Sequence, residues 1–318
     1  MNGRLQHFPI ALFSAVMGLS GLALALDQAQ RVLGLTVPAG RLVAALAAIA
    51  FVVIAAFYGA KLVTFRAAVM ADLNHPVRMS FAATFSVSLI LLGTLSLGPL
   101  PRVSAALWSA GTLIHLVLTL YVLTAWVYQP RFEIQHISPV WFIPAVGNIL
   151  VPIAGVHHAG NELNWFFFSI GFLFWVVLFV IVMYRMIFHH PLPDRLLPTL
   201  FILIAPPAAG FLSYVALTGS IDAFARVLYY GALFLTIWLL TQARRFIKLP
   251  FFLSWWAYSF PLAAVTVATM SMYHVTGDTI LYLLSYALLF VLLIVVTWLV
   301  VRTAFAIRQD EICVEERA

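Results

Sequence analysis

The feature that most constrains this chain is a series of apolar runs, each about twenty residues or longer, separated by short polar connections. An α-helix rises 1.5 Å per residue, so about twenty apolar residues cross a hydrocarbon core of about 30 Å. Pattern alone does not separate a buried soluble helix from a membrane span, but length does. Ten spans are predicted, over residues 8–27, 40–70, 77–98, 102–128, 139–158, 163–188, 196–218, 221–246, 251–274 and 278–306. The second is expected to project beyond the membrane, with Lys61, Arg66 and Asp72 on its outer turns. Such short connections make neighbouring spans antiparallel hairpins and leave little chain for a soluble domain. Residues 1–318 are therefore read as one all-α transmembrane domain with a short polar tail at about 307–318. The composition, 64% hydrophobic and 9% charged with a mean hydropathy of +1.05, belongs to that class.

Orientation follows from the basic residues. The apolar run from Phe8 to Leu26 lacks a convincing cleavage site and is read as the first span, not as a signal peptide. With the N-terminus inside, Arg4, Lys61, Arg66, Arg78, Arg131, Arg185, Arg195, Arg244, Arg245, Lys248, Arg302, Arg308 and Arg317 fall on the cytoplasmic face. Only Arg31, Arg41, Arg102 and Arg226 fall outside. That bias places both termini in the cytoplasm, which requires an even number of spans. A pI near 9.7 then reflects basic loops at a membrane face, not a nucleic-acid partner. The single cysteine, Cys313, excludes an internal disulfide.

The odd-numbered spans share two properties. Each begins near a proline, at Pro9, Pro76, Pro139, Pro198 and Pro250, with steps of 67, 63, 59 and 52 residues, one hairpin each. Each is also interrupted by glycines, serines or prolines, in the first four Gly18 and Gly21; Ser86, Ser88 and Gly93; Pro144, Gly147 and Pro152; Pro206, Pro207 and Gly210. The ninth carries Pro261, directly after Phe260. Even spans are smoother and richer in Leu, Ile, Val, Phe and Trp. Hydrocarbon cannot satisfy freed carbonyls, so interrupted helices belong inside and smooth ones outside. In the ninth span, Phe260 is a bulky ring at a proline break, followed by Ala263, Ala264, Thr266, Ala268, Thr269 and Ser271, a surface of methyls and hydroxyls. Such a surface suits a gated pore wall, and close helix packing is the other reading of the same small residues.

No Asp, Glu, Lys or Arg is expected at mid-membrane in the odd spans. Proton-coupled carriers usually have an ionisable residue there, and cation sites favour carboxylates, so this lining suits weakly held anions. His115 is the one titratable residue well inside a span, and is expected to be hydrogen-bonded to a neighbouring helix. His157, His158, His189 and His190 lie at span ends without the acidic or cysteine partners of a metal site. No phosphate loop, catalytic triad or metal motif is present, so neither enzyme chemistry nor a cofactor is expected.

The stretches HPVRMSF (75–81), SPVWFIPAV (138–146), IAPPA (204–208) and above all WWAYSFP (255–261) resemble the tellurite-resistance/dicarboxylate transporter family, which includes the plant slow-type anion channels. The resemblance covers essentially the whole chain. It implies ten helices as five hairpins in quasi-fivefold order around a central pore, assembled as a homotrimer in the bacterial plasma membrane. It implies a phenylalanine gate at Phe260 and kinks at Pro144, Pro206 and Pro261. Further kink or lining candidates are Gly18, Ser86, Gly147, Pro207, Gly210 and Ala264. Ser86 stands where bacterial relatives can have proline. The expected partners are small inorganic or carboxylate anions and the lipid bilayer. The expected function is an anion channel for chloride or nitrate; the alternative is an exporter of dicarboxylate, sulfite or tellurite-type oxyanions. A membrane scaffold would not need the repeated breaks.

Overall fold

The computed structural model describes residues 2–314, and Arg317 lies outside the described residues. The described chain is helical throughout, without a strand. Eight helices are long and apolar enough to cross a membrane, from Ile10–Val32 to Thr279–Arg308. Two further apolar segments match the fifth and ninth expected spans. Pro139–Gly155 is shorter than a full crossing helix. Ser259–Thr276 is an 18-residue helix preceded by a 3-10 stretch, Leu253–Tyr258. Arg4 Nη2 lies 2.6 Å from Asp310 Oδ1, so the two ends of the chain meet on one face, as an even number of crossings demands. We call it the terminal face.

Burial separates the segments as their interruptions suggested. About 78% of the first, 78% of the third and 67% of the seventh are buried, against 6–39% for the second, fourth, sixth, eighth and tenth. Even segments present their Leu, Val and Phe side chains outward, and odd segments form the interior.

The interruptions take a form that sequence patterning does not specify. The first, fifth, seventh and ninth segments open on 3-10 helix, over Ile10–Leu12, Pro139–Trp141, Asp194–Ile204 and Leu253–Tyr258. Eleven residues is long for a 3-10 helix. The break prolines stand at the junctions. Pro144, Pro206, Pro207 and Pro261 each occupy the second or third position of an α-helix that follows a 3-10 stretch. Where pairing changes from three residues back to four, a residue without an N–H and with φ near −65° costs least. Pro261 thus stands in the first α-turn, and the change of pitch lies just before it, at Tyr258–Ser259.

The hairpin turns near the end of the chain repeat. Gly219 and Gly277 end the seventh and ninth segments at φ 71° and 67°, a left-handed conformation that glycine adopts without strain. Asp222 and Asp278 then cap the next helices, accepting from Ala225 N at 2.9 Å and Ile280 N at 2.7 Å.

The second segment departs from expectation. Its helix ends at Thr64, Phe65 leaves helical geometry, and a separate helix runs from Arg66 to Asn74. Lys61 and Asp72 are buried, not on outer turns. Lys61 Nζ donates to Asp72 Oδ2 at 2.6 Å and to Phe8 O at 2.9 Å. On an unbroken helix these two residues would stand about 16 Å apart along the axis. The break lets them pair.

Candidate functional site

Two cavities enter the bundle from opposite faces. The narrower, of about 700 Å³, opens among the starts of the odd segments, towards the terminal face. Ser14, Met17, Thr84, Gly147, Pro206, Trp256 and Pro261 are among its lining residues. The wider, of about 2860 Å³, opens on the far face and is lined by the ends of the odd segments. Three residues line both: Leu150, Ala209 and Phe260. They come from the fifth, seventh and ninth segments, and Phe260 is the only one with a ring.

The ninth helix places that ring by simple periodicity. Phe260, Ala263, Ala264, Val267 and Ser271 lie on one face at helical spacing, and all five line the wider cavity. Two of the three hydroxyls expected there turn away. Thr266 and Thr269 are buried and donate to their own helix, at Leu262 O (2.6 Å) and Val265 O (2.8 Å). The wall is therefore made of methyls more than of hydroxyls. Opposite Phe260 stands Gly21, where a Cβ would lie 3.4 Å from the Phe260 ring and 2.8 Å from Ala263 Cβ.

Of the other candidates, Gly147, Pro206 and Pro261 line the narrower cavity and Ala264 the wider. Five do not line either. Gly18 is a packing contact between the first and ninth segments, where a Cβ would overlap Ser259 and lie 2.9 Å from Trp256. Gly210 packs between Ile149 and Leu228, and Pro144 and Pro207 are buried in their junctions. Ser86 Oγ lies 2.8 Å from His115 Nδ1, joining the third segment to the fourth as expected of a histidine in this setting.

The fifth segment shows how a broken helix survives in a bilayer. Side chains from neighbouring segments take its carbonyls: Thr119 Oγ1 donates to Pro144 O at 2.7 Å, Trp108 Nε1 to Val151 O at 2.9 Å, and Ser213 Oγ to Ile149 O. Asn148 Nδ2 donates to Thr119 Oγ1 at 2.9 Å. The protein thus supplies what hydrocarbon cannot.

The polar side chains of the narrower cavity have committed hydrogens. Ser14 Oγ donates to Ala11 O at 2.5 Å, Thr84 Oγ1 to Phe81 O at 2.6 Å, Ser254 Oγ to Arg195 O at 2.5 Å and Trp256 Nε1 to Thr303 Oγ1 at 3.0 Å. Among the described residues, this lining holds no ionisable group. The wider cavity holds Asp27, Arg31, Arg41 and His157. His158 follows it in the chain. Its Nε2 lies 2.8 Å from Ser104 Oγ. Leu150 and Ala209 were not singled out from sequence; each is an ordinary apolar residue, and only the fold brings it to the lining of both cavities.

A helical integral membrane protein, with buried broken helices and cavities meeting at one ring, is built as a transport protein. The chain belongs to the SLAC1 family, described as voltage-dependent anion channels, whose model matches residues 7–304. It is 29% identical to the S-type anion channel SLAH3 of Arabidopsis thaliana, over 80% of this chain and 41% of that one. It is 26% identical to an uncharacterized transporter of Methanocaldococcus jannaschii over 92% of both chains. To a tellurite resistance protein TehA homolog of Haemophilus influenzae it is 26% identical, over 84% of this chain and 81% of the other. The family consists of anion channels and transporters, not enzymes.

Proposed function

We propose that this chain is an anion-selective channel for small anions such as chloride and nitrate, with the path running between the two cavities and Phe260 as its gate. The observation that carries this reading is that Phe260 lines both cavities while the narrower one offers no charge. In this reading all ten segments cross the membrane, as five hairpins in quasi-fivefold order, within a homotrimer in the plasma membrane. Pairing of Arg4 with Asp310 supports an even number of crossings.

The lining bears on selectivity. An ion in the narrower cavity meets ring edges, methyls and hydroxyls whose hydrogens point to backbone carbonyls. Little there replaces a hydration shell, so the cost of dehydration sets the order of permeation. Nitrate and iodide should pass more easily than chloride, measured as reversal potentials under bi-ionic conditions. A strict preference for chloride would mean a specific site and would overturn this account.

The name of the Haemophilus relative keeps a second reading in view, an oxyanion or dicarboxylate exporter working by alternating access. Recording in a planar bilayer separates the two: discrete currents carried by chloride or nitrate support the channel, and saturating exchange without such currents supports the carrier.

Topology is tested on a Cys313→Ala background. A cysteine introduced at Gln242, near Arg244 and Arg245, should stay unlabelled by an impermeant reagent added outside intact cells. Labelling there would reverse the orientation.

A further inference from the structure

The wider cavity carries all the ionisable residues found in the two linings, and three of them share one wall. Arg31 Nε donates to Asp27 O at 3.3 Å, which folds the side chain back along the end of the first segment. Asp27 in turn sits against the first turn of the second segment. A Cβ on Gly40 would overlap the Asp27 carboxylate and lie 3.0 Å from Ala23 O, so glycine is what lets the carboxylate sit directly against that helix. Arg41, the next residue, lines the same cavity as Asp27 and Arg31. Yet among the described residues neither guanidinium is within 4.0 Å of an acidic oxygen. Two guanidinium groups therefore line a wide cavity around one carboxylate that neither contacts directly, leaving a net positive wall.

The geometry points to an anion-recognition site on this wall, formed by Arg31 and Arg41, for planar oxyanions and carboxylates that enter from the far face, with Asp27 as a tethered competitor for the same two groups. This deepens the anion-passage reading and rests on it. The chemistry follows from the guanidinium, whose fork of N–H donors matches nitrate or a carboxylate in two parallel hydrogen bonds and matches a spherical ion less well. Fixed positive charge in a cleft with low-dielectric walls also concentrates anions at its mouth. The narrower cavity has no counterpart, so the effect must be one-sided.

The test uses the full chain in excised patches, each face bathed separately, with nitrate and chloride as probes. At low ionic strength the Arg31→Gln/Arg41→Gln variant should lose at least about threefold of the nitrate current entering from the wide-cavity face. Current from the other face should be unchanged, so the variant rectifies. In 1 M salt, where the screening length is about 3 Å, the difference should vanish. Asp27→Asn should shift the same current upwards. Arg31→Lys/Arg41→Lys keeps the charge and removes the fork, so it should retain current while its nitrate-over-chloride ratio from the wide-cavity face falls to the ratio measured from the other face. Parental rectification in the double glutamine variant would overturn the site, as would a fall in current in Asp27→Asn. A lysine variant whose nitrate preference from the wide-cavity face still exceeds that from the other face would overturn oxyanion recognition. A parent that carries no anion current at all would instead overturn the passage reading beneath it, so the two failures are distinguishable.

Discussion

Phe260→Ala should raise the basal anion current about tenfold or more at equal amounts of protein in the membrane, since removing a barrier of only about 1.4 kcal/mol multiplies a rate tenfold. The ring lines both cavities, and its companions there, Leu150 and Ala209, are smaller. An apolar ring across a narrow path displaces water and gives an anion nothing in exchange for its hydration shell. The neighbouring aromatics are held differently. Tyr258, two residues earlier, packs edge-on against Phe201, Phe246 and Trp255 at centroid distances of 4.7, 5.9 and 5.4 Å. Phe260 has no ring partner among the described residues, so its side chain is not clamped by aromatic packing. An ordinary core phenylalanine behaves otherwise: its truncation costs about 3–5 kcal/mol and lowers the yield of folded protein. Phe260→Leu keeps much of the bulk and should raise the current less. Currents at matched surface expression decide the matter. A well-folded Phe260→Ala protein with parental current would remove Phe260 from the gate.

What could be read from sequence, and what could not, divides along physical lines. Burial of the odd segments was legible because glycine, serine and proline cannot face lipid in number, whereas runs such as Leu-Phe-Trp-Val-Val can. Phe260 was singled out through its place in WWAYSFP, and it is one of the three residues that line both cavities. The other two residues common to both cavities were not, because Leu150 and Ala209 are apolar residues in apolar helices. The 3-10 openings were also hidden. A proline marks a break without saying whether the chain kinks or changes pitch, and Pro261 sits where pitch changes. Gly18 and Gly210 illustrate a related ambiguity, since a glycine that admits a neighbouring helix looks the same in sequence as one that lines a path. Two hydroxyls of the ninth segment misled for a similar reason, while Ser271 does line the wider cavity. Thr266 and Thr269 bond to their own helix and face protein. The Lys61–Asp72 pair lay beyond periodicity, because an apolar run continues past the point where the helix breaks.

That pair supports the second large expected effect. Asp72 accepts from Lys61 at 2.6 Å and from Arg78 at 2.9 Å, and Lys61 also donates to Phe8 O. Side chains of Lys61 and Asp72 are 3% and 10% exposed, while that of Arg78 is 42% exposed. Together they tie the start of the chain, the break after the second segment and the start of the third, beside the mouth that Phe81 and Thr84 line. Asp72→Ala leaves a buried ammonium with one backbone carbonyl, and should cost about 3–5 kcal/mol, since an unpaired buried charge loses its compensation while keeping its desolvation penalty. Lys61→Met should cost less, because the more exposed Arg78 still answers Asp72. Replacing both, as Lys61→Met/Asp72→Leu, removes the two penalties together and should recover most of the loss. Thermal unfolding of the three variants in detergent, followed by fluorescence-detected size exclusion, gives the comparison. The expected order of stability is parent, then the double variant, then Lys61→Met, with Asp72→Ala lowest. Additive losses in the double variant would mean that the two side chains act through packing with their neighbours and not as a charge pair.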